Sequence, residues 1–214
     1  MSTATSLEDL PLGVAMTSAV VEVKPRSDHM LLEATLAGDE SAFGELVGRY
    51  RNQITNFIYR MTNDYDGAVD LAQETFVRVY RAADRYKSDF AFSTYIYRIA
   101  TNLAISEIRK RKRRRLVSLT GFFVENEREK EQEFNPPDLN PLQDLVLVET
   151  ERRAAVGKAI ATLPEKYRAP LILRDIEGRS YEQIAAILST NEGTIKSRIS
   201  RARGLLREKL IAYM

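Results

Sequence analysis

Apolar side chains recur at steps of three and four along most of this chain, and nowhere do they alternate at period two over a strand's length. From Asp39 to Asn63 the positions Phe43, Leu46, Val47, Tyr50, Ile54, Phe57, Ile58 and Met61 fall on one helical face. Asp39 is the expected N-cap of that helix and Asn63 its expected stop. A shorter helix capped by Asp28 precedes it. A third starts near Asp66 and is expected to bury Leu71, Ala72, Phe76, Val79 and Tyr80. A fourth starts near Phe92 with Ile96, Ile99, Ala100, Leu103 and Ile108 inward.

The second half repeats the helical period. Asn140-Pro141 opens a helix through about Ala161, with Leu145, Val148, Val156 and Ile160 inward, and Leu163-Pro164 ends it. Pro170 should kink the next helix, because it lacks a backbone donor. Ser180, with Gln183 three residues on, forms a capping box ahead of Ile184, Ala185 and Leu188. Ser189 to Glu192 carries no apolar side chain and should turn. From about Gly193 a last helix places Ile195, Ile199, Ala202 and Leu206 on one face. Two short helices with such a turn predict a helix-turn-helix.

The pattern therefore predicts an all-α chain of two small domains, a helical bundle at 28–115 and a helix-turn-helix domain at 141–214. Residues 1–27 show no period and read as a disordered tail, with a rival reading of a partner-binding segment around Val20, Val21 and Val23. Residues 116–140 shift to Glu, Asn, Pro and Gly and read as a flexible acidic linker.

Composition narrows the class. There is no cysteine and one histidine, His29, which argues against disulfide frameworks and against cysteine- or histidine-built metal or catalytic centres. No run approaches the roughly 20 apolar residues of a membrane helix. The N-terminus lacks the pattern of a signal peptide, so a cytoplasmic location without membrane insertion is expected. The net charge is only +2, but it is segregated. Arg98 to Arg115 holds eight basic residues and one acidic, while Glu125 to Glu151 holds nine acidic and two basic. Basic patches meet nucleic acid, and an acidic spacer is repelled by it.

Three stretches exceed what folding needs. On the last helix Lys196, Ser197, Ser200 and Arg201 lie opposite the apolar face, flanked by Arg203 and Arg207. That arrangement suits a helix in a major groove, reading base edges and bonding phosphates. Arg85 to Asn102 interleaves Tyr86, Phe90, Phe92, Tyr95 and Tyr97 with Arg85, Lys87, Arg98 and Asn102, a mixture suited to unpaired bases. Phe92 is expected to be core, and Phe90 is a second core candidate. The basic run Arg109, Lys110, Arg111, Lys112, Arg113, Arg114 and Arg115 continues that helix and fits duplex phosphates. Asp70, Gln73 and Glu74 sit near the start of the third helix, and spacing leaves them open between a helix-dipole role and a surface for a basic partner.

Three motifs stand in one order: DLAQETFVRVY from Asp70 to Tyr80, FSTYIYRIATN from Phe92 to Asn102, and IEGRSYEQIAAIL followed by GTIKSRISRAR. Together they resemble the extracytoplasmic-function sigma factors of bacterial RNA polymerase. The resemblance implies a promoter-recognition factor, without cofactor or covalent chemistry, that carries core polymerase to its promoters and helps melt them. It also implies response to a stress or envelope signal and restraint by an anti-sigma partner. By it, Asp70, Gln73, Glu74 and Arg78 meet the coiled coil of polymerase's largest subunit. Tyr86, Lys87, Ser88, Phe90, Thr94, Tyr95, Arg98 and Asn102 hold the single-stranded downstream element, and Arg109, Arg111, Arg113 and Arg114 meet duplex phosphates. Ser180, Tyr181, Thr194, Lys196, Ser197, Arg198, Ser200 and Arg201 hold the upstream element. Where the family commonly has Trp, this chain has Tyr95. The residues alone leave two rivals. One is a DNA-binding regulator acting without polymerase. The other is a nucleic-acid enzyme using Asp66, Asp70 and Glu74.

Overall fold

The computed structural model describes residues 26–86, 90–120 and 154–211, and for 115–120 the backbone only. The tail around Val20, the linker beyond Thr120 and the helix start at Asn140-Pro141 lie outside the described residues, as do Lys87 and Ser88. Every regular element among the described residues is helical.

Helix α1 (Asp28–Leu36) is capped by Ser27, not by Asp28: the Ser27 hydroxyl accepts from the Met30 N–H at 3.3 Å. Asp28 instead accepts from Arg49 at 2.8 Å and from the Tyr50 hydroxyl at 2.5 Å, which fastens α1 to α2. Helix α2 (Glu40–Thr62) runs from its Asp39 cap to Asn63, whose φ of 54° closes it in the left-handed region. Helix α3 (Tyr65–Arg81) is capped by Asp64, which accepts from the Gly67 N–H at 3.2 Å. A 3-10 turn (Ala83–Arg85) leads to helix α4 (Phe92–Thr120). Leu31, Leu32, Leu46, Ile54, Phe57, Ile58, Met61, Val79 and Ile96 are fully or almost fully buried between these helices. Phe43, Val47, Tyr50, Ile99 and Ile108 are only partly covered. Tyr80, expected in the core, is 51% exposed; it stands edge-on to Phe43 at 5.1 Å on the rim of the bundle.

The second unit comprises α5 (154–161), α6 (Glu165–Leu171), α7 (Tyr181–Leu188) and α8 (Glu192–Ile211). Helix α6 does not stop at Pro170; directly after it the coil widens into a π turn over Ile172–Ile176. The Glu177 N–H bonds the Ile172 carbonyl at 3.0 Å, five residues back. Leu163, Leu171, Ile172, Leu173, Ile184, Ile187, Ile195, Ile199 and Ala202 form this unit's core.

The two units are docked. Helix α7 packs on α4, α6 reaches α2 and α4, and the π turn reaches α2. The composition pointed to a tether between the halves; their direct packing is an addition to that picture.

Candidate nucleic-acid and partner interfaces

Helix α3 offers a stripe along its outer face. Asp70, Gln73, Val77 and Tyr80 succeed one another at steps of three and four, and all are exposed. Asp70 stands more than a turn past the helix start, where the macrodipole has faded, so the dipole accounts better for Asp66 than for Asp70. Glu74 is half-buried and accepts from Arg78 at 2.7 Å. Val77 and Tyr80 extend the polar patch with apolar surface. Sequence reasoning missed Val77 and put Tyr80 inside, although both continue the spacing of Asp70 and Gln73.

Ahead of α4 the Tyr86 hydroxyl donates to the Phe90 carbonyl at 2.7 Å. Phe92 is core at 3% exposure, whereas Phe90 is 52% exposed. Tyr86 and Tyr95 lie with ring centroids 5.2 Å apart, and burial pushes both phenols above their ordinary pKa. The Tyr95 hydroxyl reaches the Ala82 carbonyl at 3.5 Å. Arg98 and Asn102 project one turn apart from the exposed face of α4. Thr94 requires a correction. It is 5% exposed, on the same face as the buried Tyr97 and Thr101, and the Arg179 guanidinium of the second unit covers that face at Tyr97. In this arrangement its hydroxyl is not offered to a strand.

The basic end of α4 divides into engaged and outward cations. Arg111 bonds Asp64 and, at 3.0 Å, Glu107. Two carboxylates thus match its charge in this arrangement, and a phosphate would have to displace them. Arg109 bonds Glu165 at 2.6 Å with its own side chain 63% exposed. Such a surface pair is worth only about 0–1 kcal/mol, so a phosphate can displace Glu165. Lys112, Arg113 and Arg114 are exposed.

In the helix-turn-helix both caps are made by side chains. The Ser180 hydroxyl accepts from the Gln183 N–H at 3.1 Å, and the Gln183 side chain accepts from the Ser180 N–H at 3.0 Å. Ser189 turns at φ 50°. Asn191, read from sequence only as a turn residue, is the cap of α8: its Oδ1 accepts from the Thr194 N–H at 2.8 Å. Ile195, Ile199 and Ala202 pack inward, so Lys196, Ser197, Ser200 and Arg201 all face out and are exposed. Thr194 and Arg198 are half-buried beside them. Tyr181 lies under two cations, Arg174 at 4.7 Å and Lys196 at 5.4 Å from its ring centre. Arg201 beside Tyr167 holds that phenol below its ordinary pKa. Arg203 is spent on Asp175, which it grips at 3.0 and 2.5 Å to fix α8 against the π turn.

Among the described residues no cluster of three His, Asp or Glu could hold a metal ion, and no helix is long and apolar enough to cross a membrane.

The family model described as Sigma-70 region 2 matches residues 46–114, and that described as Sigma-70, region 4 matches residues 153–206. The chain is 37% identical over 180 residues to the RNA polymerase sigma-H factor of Pseudomonas aeruginosa, covering 82% of this chain and 90% of that one. It is 37% identical over 185 residues to the ECF RNA polymerase sigma-E factor of Escherichia coli K12, covering 86% and 94%. Among solved structures it resembles the sigma factor RpoE of Bartonella quintana in complex with the anti-sigma factor NepR. The TM-score is 0.58 and the identity 28%, over 78% of this chain and 96% of that one. It shares its fold with CnrH, solved with the cytosolic domain of CnrY, at TM-score 0.63 and 23% identity over 87% and 99%.

Proposed function

The chain belongs to the extracytoplasmic-function sigma factors of RNA polymerase, and from that premise we propose how its surfaces divide the work. It directs core polymerase to specific promoters and assists their opening. It acts in the cytoplasm, with DNA and polymerase, and performs no covalent chemistry itself.

The observation that carries this reading is the outward face of α8. Lys196, Ser197, Ser200 and Arg201 stand exposed on a helix whose opposite face is locked in the core and whose N-terminus is capped by Asn191. A helix held so rigidly can place short side chains on base edges of the upstream element and long ones on phosphates. The Asp70, Gln73, Val77 and Tyr80 stripe is the docking face for the coiled coil of polymerase's largest subunit, with acidic and amide groups for basic partners and apolar area beside them. Phe90, Tyr86 and Tyr95, with Arg98 and Asn102 beside them, take the unpaired bases of the downstream element. Stacking supplies about 1–3 kcal/mol per base, against a few kcal/mol for leaving the duplex stack. An anti-sigma protein regulates the factor by covering these surfaces; the sigma factor RpoE of Bartonella quintana is solved in complex with the anti-sigma factor NepR.

Run-off transcription with purified core enzyme on a genomic promoter library tests the reading. The parent chain is expected to produce discrete promoter-dependent transcripts. Lys196→Ala with Arg201→Ala should weaken use of the upstream element by about 1–3 kcal/mol per lost base contact. Asp70→Ala or Gln73→Ala should weaken core binding. Transcription that ignores changes in the upstream element would remove α8 from its role.

A further inference from the structure

The docking of the two units is built from specific side chains, not from incidental surface. The hydroxyl of Tyr97 on α4 donates to the Glu177 carboxylate at 2.6 Å across the interface. Glu177 also faces Arg60 of α2 at 3.5 Å. Two residues on, the guanidinium of Arg179 lies 4.4 Å from the Tyr97 ring centre and donates to the Ser93 hydroxyl at 3.1 Å. Tyr97 has no exposed surface, and its burial with Glu177 pushes the phenol far above its ordinary pKa. The segment from Glu177 to Arg179 therefore acts as a catch seated on the first turns of α4. Those turns also carry Thr94, which is buried.

We propose that this catch is an autoinhibitory latch. The isolated chain holds its second unit closed on α4, and it must release the Glu177–Arg179 segment before both units can engage one promoter. The functional half of this statement rests on the reading of the chain as a sigma factor; the closed state itself does not. The chemistry of the interface suits reversible opening. The catch's own contacts are hydrogen bonds, an ion pair and a cation over a ring, the Arg109–Glu165 pair and the bond from Arg168 to the Met61 carbonyl cross the same junction, and polar junctions between domains favour relative motion. One donor, Arg179 Nε, is buried with no hydrogen-bond partner, which weakens the closed state from within. Opening returns Tyr97, Glu177 and Arg179 to water, which satisfies all three.

The test uses the full chain, whose lack of native cysteine lets two introduced thiols be labelled cleanly. Spin labels at Asn52→Cys on α2 and Glu208→Cys on α8, both exposed positions, report the separation of the units. The expected result is a narrow distance distribution in the parent and a longer, broader one in Glu177→Ala with Arg179→Ala. Circular dichroism should show unchanged helix content. If the open form is about a tenth of the parent population, unlatching should lower the factor concentration for half-maximal run-off transcription roughly tenfold. A parent distribution as broad as the variant's would overturn the latch. So would loss of helix in the variant together with a narrow distribution in Tyr97→Phe with Ser93→Ala, which removes the same bonds from the other side. Opening without any change in the concentration needed would overturn the inhibitory role. A parent that never supports transcription would instead remove the sigma-factor reading and leave the distance result standing.

Discussion

Asp64 shows how one carboxylate can serve two scales of structure. It caps α3 through the Gly67 N–H and also receives Arg111 from the far end of α4. Burial alone pushes this carboxyl up, but Arg111 and the Gly67 N–H outweigh it and hold it below the usual carboxylate range. A Cβ at Gly67 would collide with the Asp64 carboxylate and come within 2.8 Å of Arg111. Gly67→Ala is therefore expected to cost about 1–2 kcal/mol, the worth of a lost N-cap, despite alanine's better helix propensity. Chemical denaturation of the variant checks this, and an unchanged or raised midpoint would contradict it. The same residue carries a pH dependence that it shares with Asp39 and Glu45 at the other end of α2. The Ser41 hydroxyl and Arg26 hold Asp39 low, and Arg49 and Arg26 hold Glu45 low. Carboxyls depressed in the fold add stability above their unfolded pKa, near 4, and lose it as pH falls through their folded values. The melting temperature should hold from neutral pH to about 5 and fall below about 4. A rise on acidification would contradict the sign.

At the scale of the element, the helix-turn-helix depends on its capping box. Replacing Ser180 by Ala leaves the Gln183 N–H without its acceptor and should cost about 1 kcal/mol. Because Ser180 was also assigned to the upstream element, its variant needs two readouts. A structural role alone predicts a lower melting temperature with promoter use intact at low temperature. A role at DNA predicts a loss that cooling does not restore. This box was legible in the sequence, as were the caps at Asp39 and Asn63 and the outward face of α8, because caps and stripes obey spacing rules a single chain displays. The α1 cap was misread by one residue because Ser27 and Asp28 are both good caps; Asp28 went instead to Arg49 and Tyr50, more than 20 residues away. Tyr80 was misread because its spacing fits the core of α3 as well as the rim. The pairing of Arg111 was not legible for a similar reason: in a run of seven cations nothing local says which one a distant Asp64 will claim.

At the scale of the whole molecule the docking was not legible, since no spacing rule marks Glu177, Arg179 or Arg168 as a contact between the halves. Arg168 is the clearest case. It is 8% exposed, and its guanidinium donates to the carbonyls of Met61, Ala161 and Leu163. Met61 lies in the last turn of α2 and Ala161 at the end of α5, so a cation sits where two negative helix ends converge across the junction. Burial lowers its pKa, with Glu165 acting the other way. An arginine gripped by three carbonyls couples the two units energetically, because neither helix end is satisfied without it. Arg168→Ala would leave those carbonyls buried without their donor, at about 1–3 kcal/mol each if water does not enter. Calorimetry of the parent should then show one cooperative transition, and of the variant two, with the second unit melting first because Ala161 and Leu163 both belong to it. Arg168→Lys cannot span three acceptors in two directions and should fall between. A single unshifted transition in Arg168→Ala would mean that the units touch without supporting one another.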